Sequence, residues 1–379
     1  MFRSAHAQST DWKAATRECI LALGDLPPPE TGMARLGMIY ITEALAPRMG
    51  VIVEALRDGT SVADWVGSAG LGIAGDEEDF FDEPALAIMV ADFPQGSYKL
   101  LASADAVSRA SAQRNAGIKD DFAKRNFSGP PLVVLHADAG RADIVEMIEK
   151  ASAETQGFLI GALTMSETSR HQVAGIVTDS GLTGVMFEPE VGVVTSLSQG
   201  CGPIGEMHTV TRAVNNYIFE LDDEPALDVL KRDVGDVLAR DLRRAAGFIH
   251  AALPVAGSDT GDYVVRNLIG IDDSEGIVAI AENVEVGDRV MFVSRDPNAA
   301  AQDFRAMLER LAARAGGKAK GGLFISCIAR GPNMFGARGR ELTMIRDIVG
   351  KIPLLGMYAN GEISNSRLYG YTGVLTLFL

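Results

Sequence analysis

The chain has 379 residues, which exceeds what one ordinary hydrophobic core requires, so two or three domains are expected. Hydrophobic residues make up 47% and charged residues 22%, a mixture typical of folded proteins and not of disordered ones. The formal net charge of -15, without a compensating basic run, argues against nucleic-acid binding as the main role, because a phosphate backbone would repel the chain.

The predicted elements begin with an amphipathic helix over Asp11–Leu23, which Gly24 ends as a C-cap and three prolines follow. A buried strand, a helix and two further strands come next. Their ranges are Gly37–Thr42, Met49–Arg57, Trp65–Ser68 and Ala85–Ala91.

The same order of elements recurs twice at similar spacing. The second copy comprises Leu132–His136, Asp143–Glu154, Phe158–Ala162 and Val185–Phe187. The third comprises Leu323–Cys327, Glu341–Val349, Leu354–Tyr358 and Tyr371–Phe378. The predicted fold is therefore α/β (α+β), with internally repeated β-α-β-β units that form helix-covered sheets in a two-domain sandwich.

A segment of different pattern lies between the second and third copies. It opens with a glycine-rich loop, Gln199–Gly205, and continues with strands at His208–Arg212 and Asn216–Leu221. The natural division falls near residue 190. We therefore expect an N-terminal helix and proline-rich connection over 1–32, a first domain over 33–190 and a second domain over 191–379.

Targeting features and cysteine usage predict a cytoplasmic protein. Charged residues interrupt the N-terminus, which leaves no secretory apolar core, and no apolar run approaches the ~18 residues of a membrane span. The three cysteines, Cys19, Cys201 and Cys327, form no close pair, which argues against a disulfide framework or a zinc knuckle.

The segment Gly200–Thr211 combines glycines with a cysteine, an acid and a histidine. Exposed amides there can cradle an anion, and the alternative is a glycine-rich entry to a hairpin. Cys201 with His208 is also a candidate nucleophile and base, although no third orienting group is evident. The five histidines show no metal-ligand spacing, so no dedicated metal site is expected.

Two polar loops directly follow predicted strands of the third copy. Arg330–Gly336 comes after one strand, and Asn360–Glu362 comes after the next. Ligands of α/β sheets bind at the carboxyl ends of strands, where Arg330 can clamp a carboxylate and Glu362 can receive an ammonium group. An internal Arg–Glu ion pair that fixes the two loops is the alternative.

The C-terminal half resembles the FIST family in several separated motifs. They are Gly200–Thr211, Tyr217–Ala226, Gly321–Gly336, Gly361–Ile363 and Gly370–Leu375. The N-terminal half resembles the family's partner domain through Val66–Ile73, Glu77–Glu78 and Pro84–Leu86. The chain departs from the family at Val66–Ser68, where Gly-Cys-Ser is common, and at Gly202, where many members carry arginine.

The resemblance implies a sensory module that binds a small ligand, with an amino acid or a similar zwitterion expected, and a signalling protein as partner. One branch of the family resembles haem proteins that sense nitric oxide, which makes haem the alternative cofactor and His208, His136 or His171 its candidate axial ligand. A thiol-dependent enzyme using Cys201 or Cys327 is a further alternative.

The leading hypothesis is a cytoplasmic small-ligand sensor, not an enzyme, without resident cofactor, nucleic-acid partner or membrane association. The sequence leaves its oligomeric state open. The candidate ligand-binding residues are Arg330, Asn333, Glu362, Gly205, His208 and Arg212, with the loop 200–208 as the wall opposite Arg330 and Glu362.

Overall fold

The computed structural model of the protein describes residues 1–109, 129–164, 170–239, 247–255 and 262–379. In these ranges the helices are α1 (Trp12–Leu23), α2 (Met49–Thr60), α3 (Ala104–Arg109), α4 (Ile144–Thr155), α5 (Ala226–Ala239), α6 (Pro297–Ala315), α7 (Gly331–Phe335) and α8 (Arg340–Val349), with a 3-10 helix (Glu43–Arg48) before α2. No described helix is long and apolar enough to cross a lipid bilayer.

Strands make up the larger part of the regular structure. In chain order, the described strands are β1 (Phe2–Gln8), β2 (Met33–Thr42), β3 (Asp64–Gly70), β4 (Gly72–Gly75), β5 (Glu78–Phe81), β6 (Ala85–Pro94), β7 (Tyr98–Ala102), β8 (Leu132–Asp138), β9 (Phe158–Thr164), β10 (Gln172–Ala174), β11 (Ile176–Thr178), β12 (Leu182–Phe187), β13 (Val193–Gln199), β14 (Cys201–Val214), β15 (Tyr217–Leu221), β16 (Glu224–Pro225), β17 (Ile249–Pro254), β18 (Tyr263–Asp272), β19 (Ile277–Ile280), β20 (Arg289–Arg295), β21 (Gly321–Cys327), β22 (Leu354–Ala359), β23 (Glu362–Ser364), β24 (Arg367–Tyr369) and β25 (Thr372–Phe378).

The contacts divide the chain into two units. Unit 1 comprises Met1–Ser198, Phe304–Leu368 and Thr372–Leu379, and unit 2 comprises Gln199–Asp303 with Tyr369–Tyr371. Unit 1 thus combines residues from both of the segments 33–190 and 191–379. The third β-α-β-β copy packs with the first two in unit 1, and the segment of different pattern forms unit 2.

Unit 1 confirms the predicted repeat. Its three six-stranded sheets share one central arrangement, in which the first strand of a copy lies between the third and the second. The first and second strands are parallel, as in β2–β3, β8–β9 and β21–β22. The third strand is antiparallel to the first, as in β6–β2, β12–β8 and β25–β21.

Each copy places a hairpin in the sheet of another copy. Hairpin β4–β5 follows β3 along the chain but pairs with β22 of the third copy. Hairpin β10–β11 follows β9 but pairs with β3, and β23–β24 follows β22 but pairs with β9. The exchange closes a cycle, so each copy completes the sheet of a different one.

One face of each sheet contributes to a core shared by all three sheets, which we call the inner face. Representative inner residues are Met38, Val134 and Leu323. The opposite faces pack against helices: α1 and α2 cover the first sheet, α4 the second, and α6 and α8 the third. Because strand side chains alternate between faces, each central strand is apolar along its length and still serves two cores.

The N-terminus confirms the predicted helix and adds a strand that the sequence pattern did not predict. The Asp11 side chain accepts a hydrogen bond from the Lys13 amide at the start of α1, and the amide of Gly24 bonds to the carbonyl of Leu21 at its end. Strand β1 pairs with β6 over its whole length. Its mixed polar composition gives no alternating pattern, which explains why it was missed.

Unit 2 is a closed antiparallel barrel. Its strands follow the order β14-β20-β17-β18-β19-β15-β16, and an additional β14–β15 pairing closes the ring. Apolar residues of α5, including Leu227 and Leu230, fill part of the core. The predicted glycine-rich loop belongs largely to β14, whose pairing with β20 is interrupted by a bulge between Pro203 and Met207. A bulge absorbs residues that cannot pair regularly, so the segment stays in the sheet despite its glycines.

Candidate functional site

Polar side chains interrupt the apolar inner faces of unit 1 over two adjacent levels, near the carboxyl ends of the central strands. We call this set the polar layer, and every member is buried. Its members are Tyr40, Ser68, His136, Thr164, Gln172, Thr183, Cys327, Glu362 and Thr372.

Strand register shows which of these residues share a level. In the second sheet His136 pairs with both Ala162 and Thr183, and Glu362 pairs with Ala162 from the other side. Residues paired across neighbouring strands point to the same face. The second sheet therefore carries one inner row in the order Glu362, Ala162, His136 and Thr183.

The other two sheets carry the equivalent rows. In the first sheet the row is Gln172, Ser68, Tyr40 and Ala87. In the third it is Ile73, Met357, Ile325 and Val374, which is apolar throughout. The polar chemistry of this level thus belongs mainly to the first and second sheets.

Hydrogen bonds join the first and second sheets across the core. The Tyr40 hydroxyl lies 3.1 Å from His136 Nε2, and the hydroxyls of Ser68 and Thr164 are 2.7 Å apart. Thr183 Oγ1 donates to Gln172 Oε1 at 2.9 Å. Buried polar groups must find such partners, so these bonds fix the packing of the two sheets.

Glu362 is a buried acid without a cationic partner among the described residues. Its carboxyl accepts hydrogen bonds from the Thr372 hydroxyl at 2.8 Å, from the amides of Gly361 and Thr372 at 3.2 Å, and from Cys327. Burial raises the pKa of Glu362 to about 7, although these hydrogen bonds oppose the rise. The group therefore exchanges its proton near neutral pH.

His136 is a neutral base inside the layer. Burial lowers the pKa of its imidazole to about 3. Nε2 faces the Tyr40 hydroxyl, whereas Nδ1 has no hydrogen-bond partner among the residues that the structure describes. Neutral imidazole with one open nitrogen can bind a small polar molecule.

Arg330 lies on the other face of β25 from Glu362. Its guanidinium is fully buried against Gly373, which points away from the inner face, whereas Glu362 contacts Thr372, which points toward it. Consecutive strand residues face opposite sides, so the structure does not bring Arg330 and Glu362 into one contact.

The internal ion pair of Arg330 has a different partner from the one the sequence suggested. Nε of Arg330 donates to Glu341 Oε1 at 2.9 Å, and the Gly331 amide donates to the other oxygen of that carboxylate. Nη1 of Arg330 lacks a hydrogen-bond partner within the described chain, and the guanidinium lies over the rings of Phe304 and Phe335. Glu341 lies in the first turn of α8, outside the loop Arg330–Gly336, so the loop motif does not point to it as the partner of Arg330.

Asn333, the third predicted residue of this loop, lies exposed on α7. The short helix begins at Gly331, whose φ of 41° lies in the left-handed region that favours glycine. This turn separates the buried Arg330 from the exposed Asn333.

Three predicted residues lie in unit 2, and two of them meet there. His208 Nδ1 lies 2.6 Å from Asp222 Oδ2 and Nε2 lies 2.8 Å from Asp233 Oδ2. A Cβ added to Gly205 would lie 2.1 Å from the same Asp233 oxygen, so only glycine fits beside it. Arg212 is exposed and pairs with Glu220 at 3.3 Å, apart from this cluster.

The two aspartates favour a cationic His208. Burial disfavours the charged imidazole, but the hydrogen bonds to Asp222 and Asp233 outweigh burial and raise the pKa of His208 above its ordinary value. Since both ring nitrogens are engaged, His208 does not fit the role of a haem axial ligand or of a free base beside Cys201. Within the described residues, no group of three or more His, Cys, Asp or Glu side chains is arranged to hold a metal ion.

The sequence pattern singled out Glu362 and His136 but did not place them together. A usable signal was present, because Tyr40, His136 and Cys327 are polar or reactive residues near the ends of otherwise apolar first strands. The exchange of hairpins, which brings Glu362 beside Ala162, had no local signal.

Sequence comparisons identify both halves of the chain. The profile of the FIST N domain matches residues 35–224, and that of the FIST C domain matches residues 226–365. FIST domains are generally sensory domains that act in signal transduction.

Two mycobacterial proteins are similar over long stretches. Uncharacterized protein Rv0628c of Mycobacterium tuberculosis (strain ATCC 25618 / H37Rv) is 31% identical over 348 residues, which cover 86% of this chain and 87% of the relative. Uncharacterized protein Mb0898c of Mycobacterium bovis (strain ATCC BAA-935 / AF2122/97) is 35% identical over 237 residues, which cover 60% of this chain and 61% of the relative. Because both domain profiles match in order and the first relative aligns along most of its length, the chain belongs to the FIST family.

Proposed function

We propose that this protein is a sensor of a small ligand with an amino group, most simply an amino acid or similar zwitterion, and that Glu362 binds that group. In this proposal, a signalling protein responds to the ligand-bound chain. The observation that carries it is a fully buried carboxyl group with no cation beside it in the described chain.

The two fully buried glutamates among the described residues show the contrast. Glu341 is compensated by Arg330, a cation held 2.9 Å away. Within the described part of the chain, Glu362 has only hydroxyl, thiol and amide donors, which leave an isolated buried charge costly. An ammonium group of a ligand would supply the missing charge and stabilise the carboxylate.

The other predicted residues receive supporting roles in this proposal. Arg330 fixes α7 and α8 to the third sheet through Glu341, and Gly205 with His208 organises the bulged part of β14 in unit 2. Asn333 and Arg212, both exposed, are available to a protein partner.

Isothermal titration calorimetry of the full chain against the twenty proteinogenic amino acids tests the proposal. Glu362→Gln is the informative variant, because Gln172 occupies the equivalent position in the first sheet and likewise accepts a hydrogen bond from a threonine hydroxyl, that of Thr183. The chain thus already accommodates glutamine at this register. Glu77→Gln, which neutralises a partly exposed carboxylate of unit 1, is the matched control.

We expect at least one amino acid to bind the wild type and the Glu77→Gln control equally well. Loss of the ammonium–carboxylate contact predicts about tenfold to hundredfold weaker binding by Glu362→Gln. Binding that Glu362→Gln leaves unchanged, or no binding by the wild type, would refute the proposal.

A further inference from the structure

The open nitrogen of His136 indicates which second group the ligand carries. The Tyr40 hydroxyl has no described partner other than His136 Nε2, 3.1 Å away. If Tyr40 donates its proton to Nε2, the proton of the neutral imidazole sits on Nδ1. The opposite tautomer would leave both the Tyr40 hydroxyl proton and the Nδ1 lone pair unpaired. The first arrangement leaves fewer polar atoms without a hydrogen-bond partner. It makes Nδ1 a buried donor without an acceptor among the described residues.

The row in the second sheet sets the distance between this donor and Glu362. Both residues pair with Ala162, one from each side, and point to the same inner face. Neighbouring strands are about 4.8 Å apart, so the two Cα atoms are separated by about 9.6 Å. Ala162 between them has a single methyl group, whereas the equivalent position in the third sheet is filled by Met357.

Strand side chains stand roughly perpendicular to the sheet, so the polar ends of Glu362 and His136 keep about the separation of their Cα atoms. An α-amino acid matches that spacing. Its nitrogen and carboxylate oxygen are about 3 Å apart by standard bond lengths. Two hydrogen bonds of about 2.8 Å extend the span to about 9 Å. A ligand lying over Ala162 can therefore contact both ends of the row.

We propose that His136 Nδ1 donates a hydrogen bond to a carboxylate oxygen of the ligand while Glu362 binds its ammonium group. His136 then determines specificity, because it distinguishes an amino acid from the amine that lacks the carboxylate. This inference rests on the proposed function, since it assumes that an amino-bearing ligand binds at Glu362.

Matched ligand pairs separate the two ends of the site. The probes are L-alanine with ethylamine, L-valine with isobutylamine and L-phenylalanine with phenethylamine, titrated calorimetrically into the full chain. For the pair that binds, the wild type is expected to prefer the amino acid by about tenfold to a hundredfold, as for a hydrogen bond to a charged group. Equal affinity for both members of that pair overturns the inference but leaves the role of Glu362 intact.

Two variants locate the preference at the imidazole. Tyr40→Phe/His136→Phe removes the ring nitrogens together with the hydroxyl that bonds to them, so no buried group is orphaned. In Tyr40→Phe alone the ligand carboxylate itself holds the imidazole proton on Nδ1, so this variant keeps the preference and is the control. The double variant should bind the amine within about threefold of the control and lose the preference for the amino acid. A preference that survives in the double variant contradicts the inference.

A measurement on the wild type needs no variant to fold. In protein labelled with nitrogen-15 histidine, the Nδ1 resonance of His136 should shift when the amino acid is added and not when its amine is added. No response to a bound amino acid overturns the inference. If neither probe binds, or if Glu362→Gln binds both normally, the proposed function fails and the inference falls with it.

Discussion

At the scale of single residues, the repeated architecture supplies its own comparisons. Glu362 and Gln172 hold the same position in two sheets, and each accepts a hydrogen bond from a threonine hydroxyl. Ile73 holds that position in the third sheet. Only one of three equivalent positions therefore carries a titratable group, which is why a charge-dependent function is assigned to it.

Replacing Glu362 by glutamine should change the pH dependence of stability. Its pKa rises from 4.5 to about 7 on folding, so the folded chain binds more protons than the unfolded chain between those values. Stability from this group is present below pH 4.5 and is lost as pH rises toward 7, by on the order of 3 kcal/mol. Urea unfolding at pH 5 and pH 8 should show a smaller loss for Glu362→Gln than for the wild type. Equal losses in both proteins would contradict the raised pKa.

The buried ion pair of Arg330 predicts a large effect of a small change. Glu341→Gln leaves the guanidinium buried without its counter-ion, which costs about 3–5 kcal/mol of unfolding free energy. Arg338→Gln breaks an exposed pair with Glu83 and should cost less than about 1 kcal/mol. Chemical denaturation of the two variants checks the contrast, and a loss below 1 kcal/mol for Glu341→Gln would show that the pair is not a structural brace.

At the scale of elements, periodicity predicted what is local and missed what is paired at long range. The three copies and helix α1 follow from apolar runs and from the C-cap Gly24. Periodicity could not predict the pairing of the three hairpins, because each hairpin pairs with a strand of another copy. The hairpins are β4–β5, β10–β11 and β23–β24. Inner-row contacts such as Glu362 beside Ala162 depend on that pairing, so the polar layer required the structure.

In two of the three copies, a glycine in the second strand permits close pairing with the first strand. At Gly161, φ is 146° and an added Cβ would lie 1.9 Å from the Leu135 carbonyl oxygen of the parallel strand β8. Gly161→Ala should lower the unfolding free energy by about 3 kcal/mol or more, since the obstacle is backbone. Gly50→Ala in α2, where no described atom lies within 4 Å of the added Cβ, should stay within about 1 kcal/mol of the wild type. Similar stabilities for the two variants would contradict the described packing of β8 and β9.

At the scale of the whole molecule, burial of the polar layer bears on binding kinetics. Every residue of the layer is buried, so a ligand reaches it only when unit 1 opens locally. We expect an association rate constant below about 10⁵ M⁻¹ s⁻¹, the lower end of ordinary values, because opening precedes or accompanies binding. Stopped-flow fluorescence with the bound amino acid measures it. A rate constant near 10⁷ M⁻¹ s⁻¹ would place the ligand at an open surface instead.

A crystal structure of the full chain with its bound amino acid tests the central claim most directly. We predict ligand density over Ala162, with the ligand nitrogen within hydrogen-bond distance of the Glu362 carboxyl and a carboxylate oxygen at His136 Nδ1. Ligand density at another place, with an unchanged polar layer, would contradict it.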